Sequence, residues 1–147
     1  MIRIAKVMDA EAISSLLNTA IGGTGSNDPE CITKTMERET SLCFVATDCD
    51  QVVGVIVGQI VVDEAEIHDV AVNHAFRRQG RATRLVRELE RHATSLGACT
   101  SFLEVRASNT AAERLYESMG YTATGTRTGY YSDGENAIVM SKTLEPQ

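Results

Sequence analysis

The chain has 147 residues, of which 43% are hydrophobic and 23% are charged, so its length and composition predict one globular domain over residues 1–147. These values exclude a disordered tail, a collagen-like repeat and a disulfide-stapled mini-protein. The net charge of −6 argues against a protein that binds nucleic acid through phosphate contacts.

The cysteine pattern and the hydropathy indicate the compartment. The four cysteines show neither C-x-x-C nor Cys/His spacing, which predicts no metal site and no disulfide framework. No apolar stretch approaches the ~18 residues that a membrane span requires. We therefore expect a cytoplasmic protein with reduced thiols and no membrane association.

The amino-terminal third predicts one strand followed by two helices. Residues 2–7 alternate between apolar and polar, which is typical of a strand. Asp9 is the predicted N-cap of a first helix that ends at Gly22–Gly23. Asp28–Pro29 predicts the start of a second helix over residues 29–39, since proline is favoured at the first helical position.

The middle of the chain predicts three strands, a helix and a fourth strand. Residues 42–47, 52–62 and 67–72 are rich in β-branched residues and are separated by turn-forming residues, as in an antiparallel meander. Residues 81–96 carry an apolar stripe at helical spacing, and residues 101–105 form a short strand. The strand over 67–72 and the strand over 101–105 flank this helix, and they should be parallel neighbours joined by a right-handed crossover.

The carboxy-terminal part predicts one helix and two strands. Residues 110–113 read as a capping box and Gly120 as the residue that ends the helix. Strands are predicted over 122–131 and 137–144, with a hairpin turn at Asp133–Gly134. The predicted fold class is α+β (mixed α/β), with a central mixed, mostly antiparallel sheet of about seven strands and helices on both faces.

The turn before the third helix is the predicted anion site. Arg77-Arg78-Gln79-Gly80-Arg81-Ala82 lies between a strand and a helix, whose N-terminal N–H groups favour negative charge. Gly80 permits a close approach of the backbone to a ligand. Six arginines against two glutamates give residues 77–91 a charge of +4, while the rest carries −10. A pyrophosphate-bearing ligand fits this pattern, whereas we interpret the outward arginines at 84, 87 and 91 as a solvated surface.

Arg77-x-x-Gly80-x-Ala82 resembles the acetyl-CoA pyrophosphate loop of the GNAT superfamily of N-acetyltransferases. The runs at 103–109 and 115–121, with the segment 130–140, are similar to the ribosomal-protein-alanine N-acetyltransferases, which acetylate protein N-termini. The resemblance is close over residues 67–144 and at superfamily level before them. It implies a GNAT-like fold, acetyl-CoA as cosubstrate without a metal, and an amine acceptor, most plainly a protein N-terminus.

The resemblance also implies residue roles. Glu104 is the expected general base and Tyr116 the expected general acid that protonates the coenzyme A sulfur. The implied acetyl-CoA-binding residues are Val70, Ala71, Val72, Arg77, Arg78, Gln79, Gly80, Arg81, Ala82, Thr83 and Asn109. His68, Tyr130 and Tyr131 are the expected acceptor-binding residues, with His68 as the reserve base.

Each role has a structural alternative. Glu104 can simply pair with an arginine such as Arg106, and Tyr116 can be a core aromatic. Asn109 can cap a helix, and His68 can be an ordinary strand histidine. Tyr130 and Tyr131 can be an exposed hairpin pair.

Two departures from the family pattern leave the acceptor open. A single residue, Ser132, separates Tyr131 from Asp133, and residues 21–40 carry no family motif. Transfer to a small-molecule amine is therefore the second enzymatic hypothesis. A non-catalytic acetyl-CoA-binding regulatory module is the third.

Overall fold

A computed structural model describes residues 1–19 and 28–145, which form a sheet of seven strands with four helices. The strands are β1 (Ile2–Ile4), β2 (Ser41–Asp48), β3 (Gln51–Val61), β4 (Glu64–Val72), β5 (Thr100–Arg106), β6 (Thr122–Arg127) and β7 (Ala137–Thr143). The helices are α1 (Ala10–Thr19), α2 (Pro29–Met36), α3 (Arg81–Ser95) and α4 (Thr110–Ser118). The strand order is β1-β2-β3-β4-β5-β7-β6, and within the described residues β4 and β5 are the only parallel neighbours. The predicted fold class and the parallel crossover through α3 are confirmed.

The helices cover both faces of the sheet, as predicted. Helices α1 and α2 pack with Val45, Val55 and Ala71 on one face. On the other face, α3 inserts its apolar stripe, including Leu85 and Leu89, into the main core. No helix within 1–19 and 28–145 has both the length and the apolar character needed to cross a membrane.

The amino-terminal prediction was wrong in detail. Strand β1 ends at Ile4, and a short 3₁₀ turn over Val7–Asp9 precedes α1. The Asp9 carboxylate accepts two hydrogen bonds from Arg3, at 2.8 and 2.9 Å, and one from the Lys6 N–H at 2.8 Å. Because these bonds occupy the carboxylate, it stabilises the turn rather than capping α1. The predicted helix end at Gly22–Gly23 lies outside the described residues.

The predicted N-terminal cap is confirmed for α2 and wrong for α4. The Asp28 carboxylate accepts from the Cys31 N–H at 2.8 Å with Pro29 at the first helical position, although α2 ends at Met36 rather than at residue 39. The capping box at 110–113 is wrong, because Asn109 is the N-cap of α4 and accepts from the Ala112 N–H at 3.2 Å. Asn109 therefore does act as a helix cap.

The connection between β6 and β7 is longer than the sequence predicts. Strand β6 ends at Arg127, and the loop 128–136 places Asp133–Gly134 in a local turn, where the Gly134 N–H donates to the Tyr131 carbonyl at 2.8 Å. Arg106 of β5 pairs with Asp133 and Glu135 at 2.8 and 3.0 Å. These ion pairs hold the loop against the end of β5, so β6 and β7 are joined by this long loop and not by a tight hairpin turn at Asp133–Gly134.

At Gly58, in β3, the fold leaves no room for a side chain. A Cβ there would lie 2.3 Å from the Glu66 carbonyl oxygen and 2.9 Å from a Leu89 methyl carbon. We expect Gly58→Ala to lower the free energy of unfolding by about 1–3 kcal/mol, the usual range for overpacking. Urea denaturation measures this loss. Gly125→Ala is the matched control, because a Cβ at this strand glycine meets nothing within 4 Å; equal losses would contradict the steric argument.

Candidate active site

The site begins where two parallel strands part. The ladder between β4 and β5 covers only Glu64–Ile67 against Thr100–Leu103. Beyond it, β4 stays paired with β3 and β5 with β7, so a gap opens between the two central strands. The residues on either side of this gap include the predicted strand segment 70–72 and Glu104.

A cavity of about 690 Å³ opens on the α3 and α4 side of the gap. It brings together every predicted acetyl-CoA-binding residue except Gln79, together with Tyr116. Its lining includes Val70, Ala71, Val72, Arg77, Arg78, Gly80, Arg81, Ala82, Thr83 and Asn109. Residues from β4, the turn 77–80, α3 and α4 thus converge on one space of ligand size.

The N-terminus of α3 forms one wall of this cavity. Gly80 is the N-cap and has a φ of +76°, in the left-handed region that favours glycine, and a Cβ there would meet nothing within 4 Å. The N–H groups of the first helical turn have no intrahelical acceptors, so they face the cavity mouth as anion donors. Open space beside Gly80 leaves room for a phosphate rather than for packing.

The arginines of this turn differ in their contacts. The Arg77 Nε donates to the Val72 carbonyl at 3.0 Å and its side chain is exposed. Arg81 is tied down more firmly, because it bonds the Phe76 carbonyl at 3.4 Å, stacks on the Phe76 ring and lies 3.7 Å from Asp48. The Gln79 side chain accepts from Arg81. Gln79 therefore contacts Arg81 and is not among the residues that line the cavity, so its binding role stays a prediction.

Tyr116 lies at the inner end of the cavity. Its ring is buried and meets Tyr121 edge-to-face at 5.8 Å between centroids. Within 1–19 and 28–145 no hydrogen bond joins its hydroxyl to another residue. Burial, with the nearby charge of Asp69, raises the pKa of Tyr116 to about 12, so the phenol keeps its proton at neutral pH.

A second cavity, of about 500 Å³, opens on the other side of the gap. It contains Glu104 and all three predicted acceptor-binding residues, His68, Tyr130 and Tyr131. Glu104 does pair with an arginine, but the partner is Arg127, at 3.0 Å, and not Arg106.

The two tyrosines of the 128–136 loop have different environments. Tyr130 is half-exposed, and its hydrogen bond to Glu104 raises the pKa of its hydroxyl to about 12. Tyr131 is buried beneath the Arg106 guanidinium, whose carbon lies 4.1 Å from the ring centre. They frame the cavity mouth and are not an exposed hairpin pair.

A junction cavity of about 90 Å³ lies between the two larger cavities and shares lining residues with both. Glu104 and Tyr116 both line it, and so does Asp69, which the sequence analysis did not single out. Burial raises the pKa of the Asp69 carboxyl to about 6. Alternation from Ile67 would put Asp69 on the core face with α3, but a bulge at His68 reverses the alternation: Val57 pairs with Asp69 and Gly58 with Ile67. A single extra residue of this kind leaves no signal in the sequence.

Comparison with known proteins identifies the family. A profile of the acetyltransferase (GNAT) family matches residues 12–121. The chain belongs to the GNAT family. The ribosomal protein bS18-alanine N-acetyltransferase of Haemophilus ducreyi is 38% identical over 102 residues, which cover 67% of this chain and 70% of that protein. An N-alpha-acetyltransferase of Saccharolobus solfataricus is 32% identical over 114 residues, covering 69% of this chain and 68% of that protein.

A solved structure agrees with these relatives. The ribosomal-protein-S18-alanine N-acetyltransferase of Escherichia coli superposes with a TM-score of 0.88 and 31% identity over 100% of this chain and 95% of that one. Both resemblances drawn from the sequence are confirmed. The chain is an acetyl-CoA-dependent N-acetyltransferase.

Proposed function

We propose that this enzyme transfers the acetyl group of acetyl-CoA directly to the N-terminal α-amine of a protein, and that a ribosomal protein is its substrate. The observation that carries the proposal is the row of three adjoining cavities, in which the junction cavity shares lining residues with both the 690 Å³ cavity and the 500 Å³ cavity. A thioester and an amine entering from opposite sides meet where β4 and β5 part. The relatives described above are, by name, an alanine N-acetyltransferase of ribosomal protein bS18 and an N-alpha-acetyltransferase, which supports this acceptor class.

The larger cavity suits acetyl-CoA. The exposed arginines 77 and 78 and the first turn of α3 supply positive charge and N–H donors for the pyrophosphate. The edge of β4 over residues 70–72, which has no ladder partner on β5, offers main-chain groups to the pantetheine arm and the acetyl carbonyl. Preorganised N–H donors of this kind are usually the largest electrostatic contribution to acyl transfer.

Two side chains serve the chemical step. The Glu104 carboxylate accepts a proton from the amine nitrogen, and its ion pair with Arg127 holds it at the junction. Tyr116 donates a hydrogen bond to the departing sulfur. The pKa of Tyr116, about 12, lies above that of an ordinary thiol, near 8.5. The hydroxyl therefore stabilises the thiolate through a hydrogen bond more readily than it transfers its proton to the sulfur.

The acceptor cavity favours a cationic polypeptide end. Among the described residues, the lining of this cavity contains three glutamates and one arginine, which are Glu64, Glu66, Glu104 and Arg127. An N-terminal ammonium group and the basic residues of a ribosomal protein are attracted by such a surface. The four free thiols suit a reducing compartment, and we place the reaction in the cytoplasm.

The test is an assay with labelled acetyl-CoA against three matched sets of acceptors. The first set contains peptides with free N-termini, including those of ribosomal proteins, and the second contains the same peptides with blocked N-termini and an internal lysine. Small primary amines such as polyamines and aminoglycosides form the third. We expect turnover only in the first set. Preference for the third would establish a small-molecule acetyltransferase, and acetyl-CoA binding without turnover on any amine would establish a non-catalytic module.

A further inference from the structure

The amine nitrogen loses two protons in this reaction, so two groups must accept them. An α-amine has a pKa of ~7.7–8.0, so at neutral pH most of it arrives as ammonium. One proton must leave before the nitrogen can attack, and a second must leave once the nitrogen is cationic in the tetrahedral adduct. Glu104 accounts for one of these transfers.

Asp69 is the other carboxyl group at the junction. The bulge at His68 turns it to the face of the sheet that carries Ala71 and the α1 cluster, where Glu66 and the acceptor cavity also lie. It borders both the junction cavity and a further pocket of about 230 Å³ beneath α2. Within 1–19 and 28–145 no hydrogen bond or ion pair engages its carboxylate. A largely buried carboxylate without a partner is costly, so it is placed to receive a cation.

We propose that Asp69 is a catalytic residue that binds the acceptor ammonium and takes the proton it must lose before attack. The proposal deepens the proposed function, since it assigns a second base to the same amine. Asp69 also acts electrostatically on both tyrosines of the junction: burial is the main cause of the raised pKa of Tyr116 and of Tyr131, and the negative charge of Asp69 adds to it. The other ionisable groups lining its two cavities are His68, Glu104, Arg106, Cys31, Arg38 and Cys43.

The steps balance as follows. The ammonium N–H bond breaks and its proton passes to an Asp69 oxygen, leaving a lone pair on nitrogen. That pair forms the C–N bond to the thioester carbon while the carbonyl π pair moves onto oxygen, which gives a tetrahedral oxyanion. Glu104 then takes the second nitrogen proton, the oxyanion re-forms the C=O bond, and the C–S bond breaks with its electron pair leaving on sulfur beside Tyr116. One of the two protons reaches the thiolate and the other returns to solvent, so the products are an amide, a thiol and one proton.

The test compares the pH dependence of kcat/KM in wild type and in Asp69→Asn, which keeps the shape and removes the base. With Asp69 present, kcat/KM falls only below the pKa of its carboxyl, about 6, because Asp69 must be ionised to accept a proton. Without it the enzyme can use only amine that is already neutral. We expect the acid limb to move up to ~7.7–8.0, because only the neutral fraction of the amine then reacts. At pH 7 that fraction is roughly a tenth, so kcat/KM of Asp69→Asn should lie about 5–10-fold below the wild-type value, and the two values should converge above pH ~8.5.

Asp63→Asn, in the exposed turn between β3 and β4, is the control and should leave the profile unchanged. Calorimetry should give the same acetyl-CoA dissociation constant for all three proteins. An acid limb at the same pH in wild type and Asp69→Asn overturns the proposal, as does a uniform loss at all pH values, which a purely structural role would produce. If wild type prefers small amines to peptides, the proposed acceptor fails while the same pH comparison, made with that amine, still decides the role of Asp69.

Discussion

Gly80→Glu will abolish the binding of acetyl-CoA while leaving the protein folded. The substituted side chain places bulk and a negative charge in the open space beside the first turn of α3, where the pyrophosphate is expected. A charge-assisted hydrogen bond contributes about 1.5–3 kcal/mol, so losing two of them and adding repulsion should raise the dissociation constant at least ~100-fold. Isothermal titration calorimetry with acetyl-CoA measures this change.

The helix itself provides the matched control. Gly97, just beyond the other end of α3, also has a positive φ, of +97°, and a Cβ there meets nothing within 4 Å. Gly97→Glu introduces the same backbone strain and the same charge away from the cavity. If both variants bind acetyl-CoA normally, the cavity beside Gly80 is not the phosphate site; if both lose binding, backbone strain rather than the phosphate contact is responsible.

Local signals in the sequence were enough to predict the sheet and the anion-binding turn at one wall of the larger cavity, whereas strand segment 70–72 and Asn109 were expected there only from the family resemblance. The change from β-branched runs to a 3.6-residue period at Arg81, and the glycine before it, identify a strand, a turn and a helix that face an anion. The parallel pairing of β4 and β5 is then expected, because two neighbouring strands of one sheet that are joined through a helix run parallel. Because these features depend on neighbouring residues, they can be deduced without knowing the tertiary structure.

What could not be predicted depends on long-range contacts. Arg127 lies far from Glu104 in sequence, and their ion pair exists because β6 and β5 both flank β7. The loop 128–136 avoids a tight hairpin because Arg106 binds two of its carboxylates. Asp69 reaches the junction through a bulge, whose position is set by the pairing of β3 with β4. Only the assembled sheet reveals these three features.

Tyr116→Phe will lower kcat by about 10²–10³-fold with little change in acetyl-CoA affinity, the effect expected when one hydrogen-bond donor to developing charge is lost. The phenyl ring preserves the edge-to-face contact with Tyr121, and no hydrogen bond within the described residues depends on the lost hydroxyl. The fold should therefore be unchanged. Because the pKa of Tyr116 is about 12, its hydroxyl stays protonated at neutral pH, and the wild-type to variant ratio should be constant from pH 6 to 9.

Tyr121→Phe separates this catalytic effect from the loss of a buried hydroxyl. The Tyr121 hydroxyl donates to Glu90 and contacts the Ser101 hydroxyl, both at 2.7 Å, deep in the core on the α3 side. Its removal leaves buried polar groups without a partner, so the free energy of unfolding should fall by about 1–3 kcal/mol while kcat stays near the wild-type value. The two variants thus make opposite predictions: Tyr116→Phe impairs turnover and not stability, and Tyr121→Phe impairs stability and not turnover. The rate constant of the chemical step can be measured in single-turnover experiments. If it is equal in wild type and Tyr116→Phe, the sulfur leaves without help from this hydroxyl and Tyr116 is a packing residue.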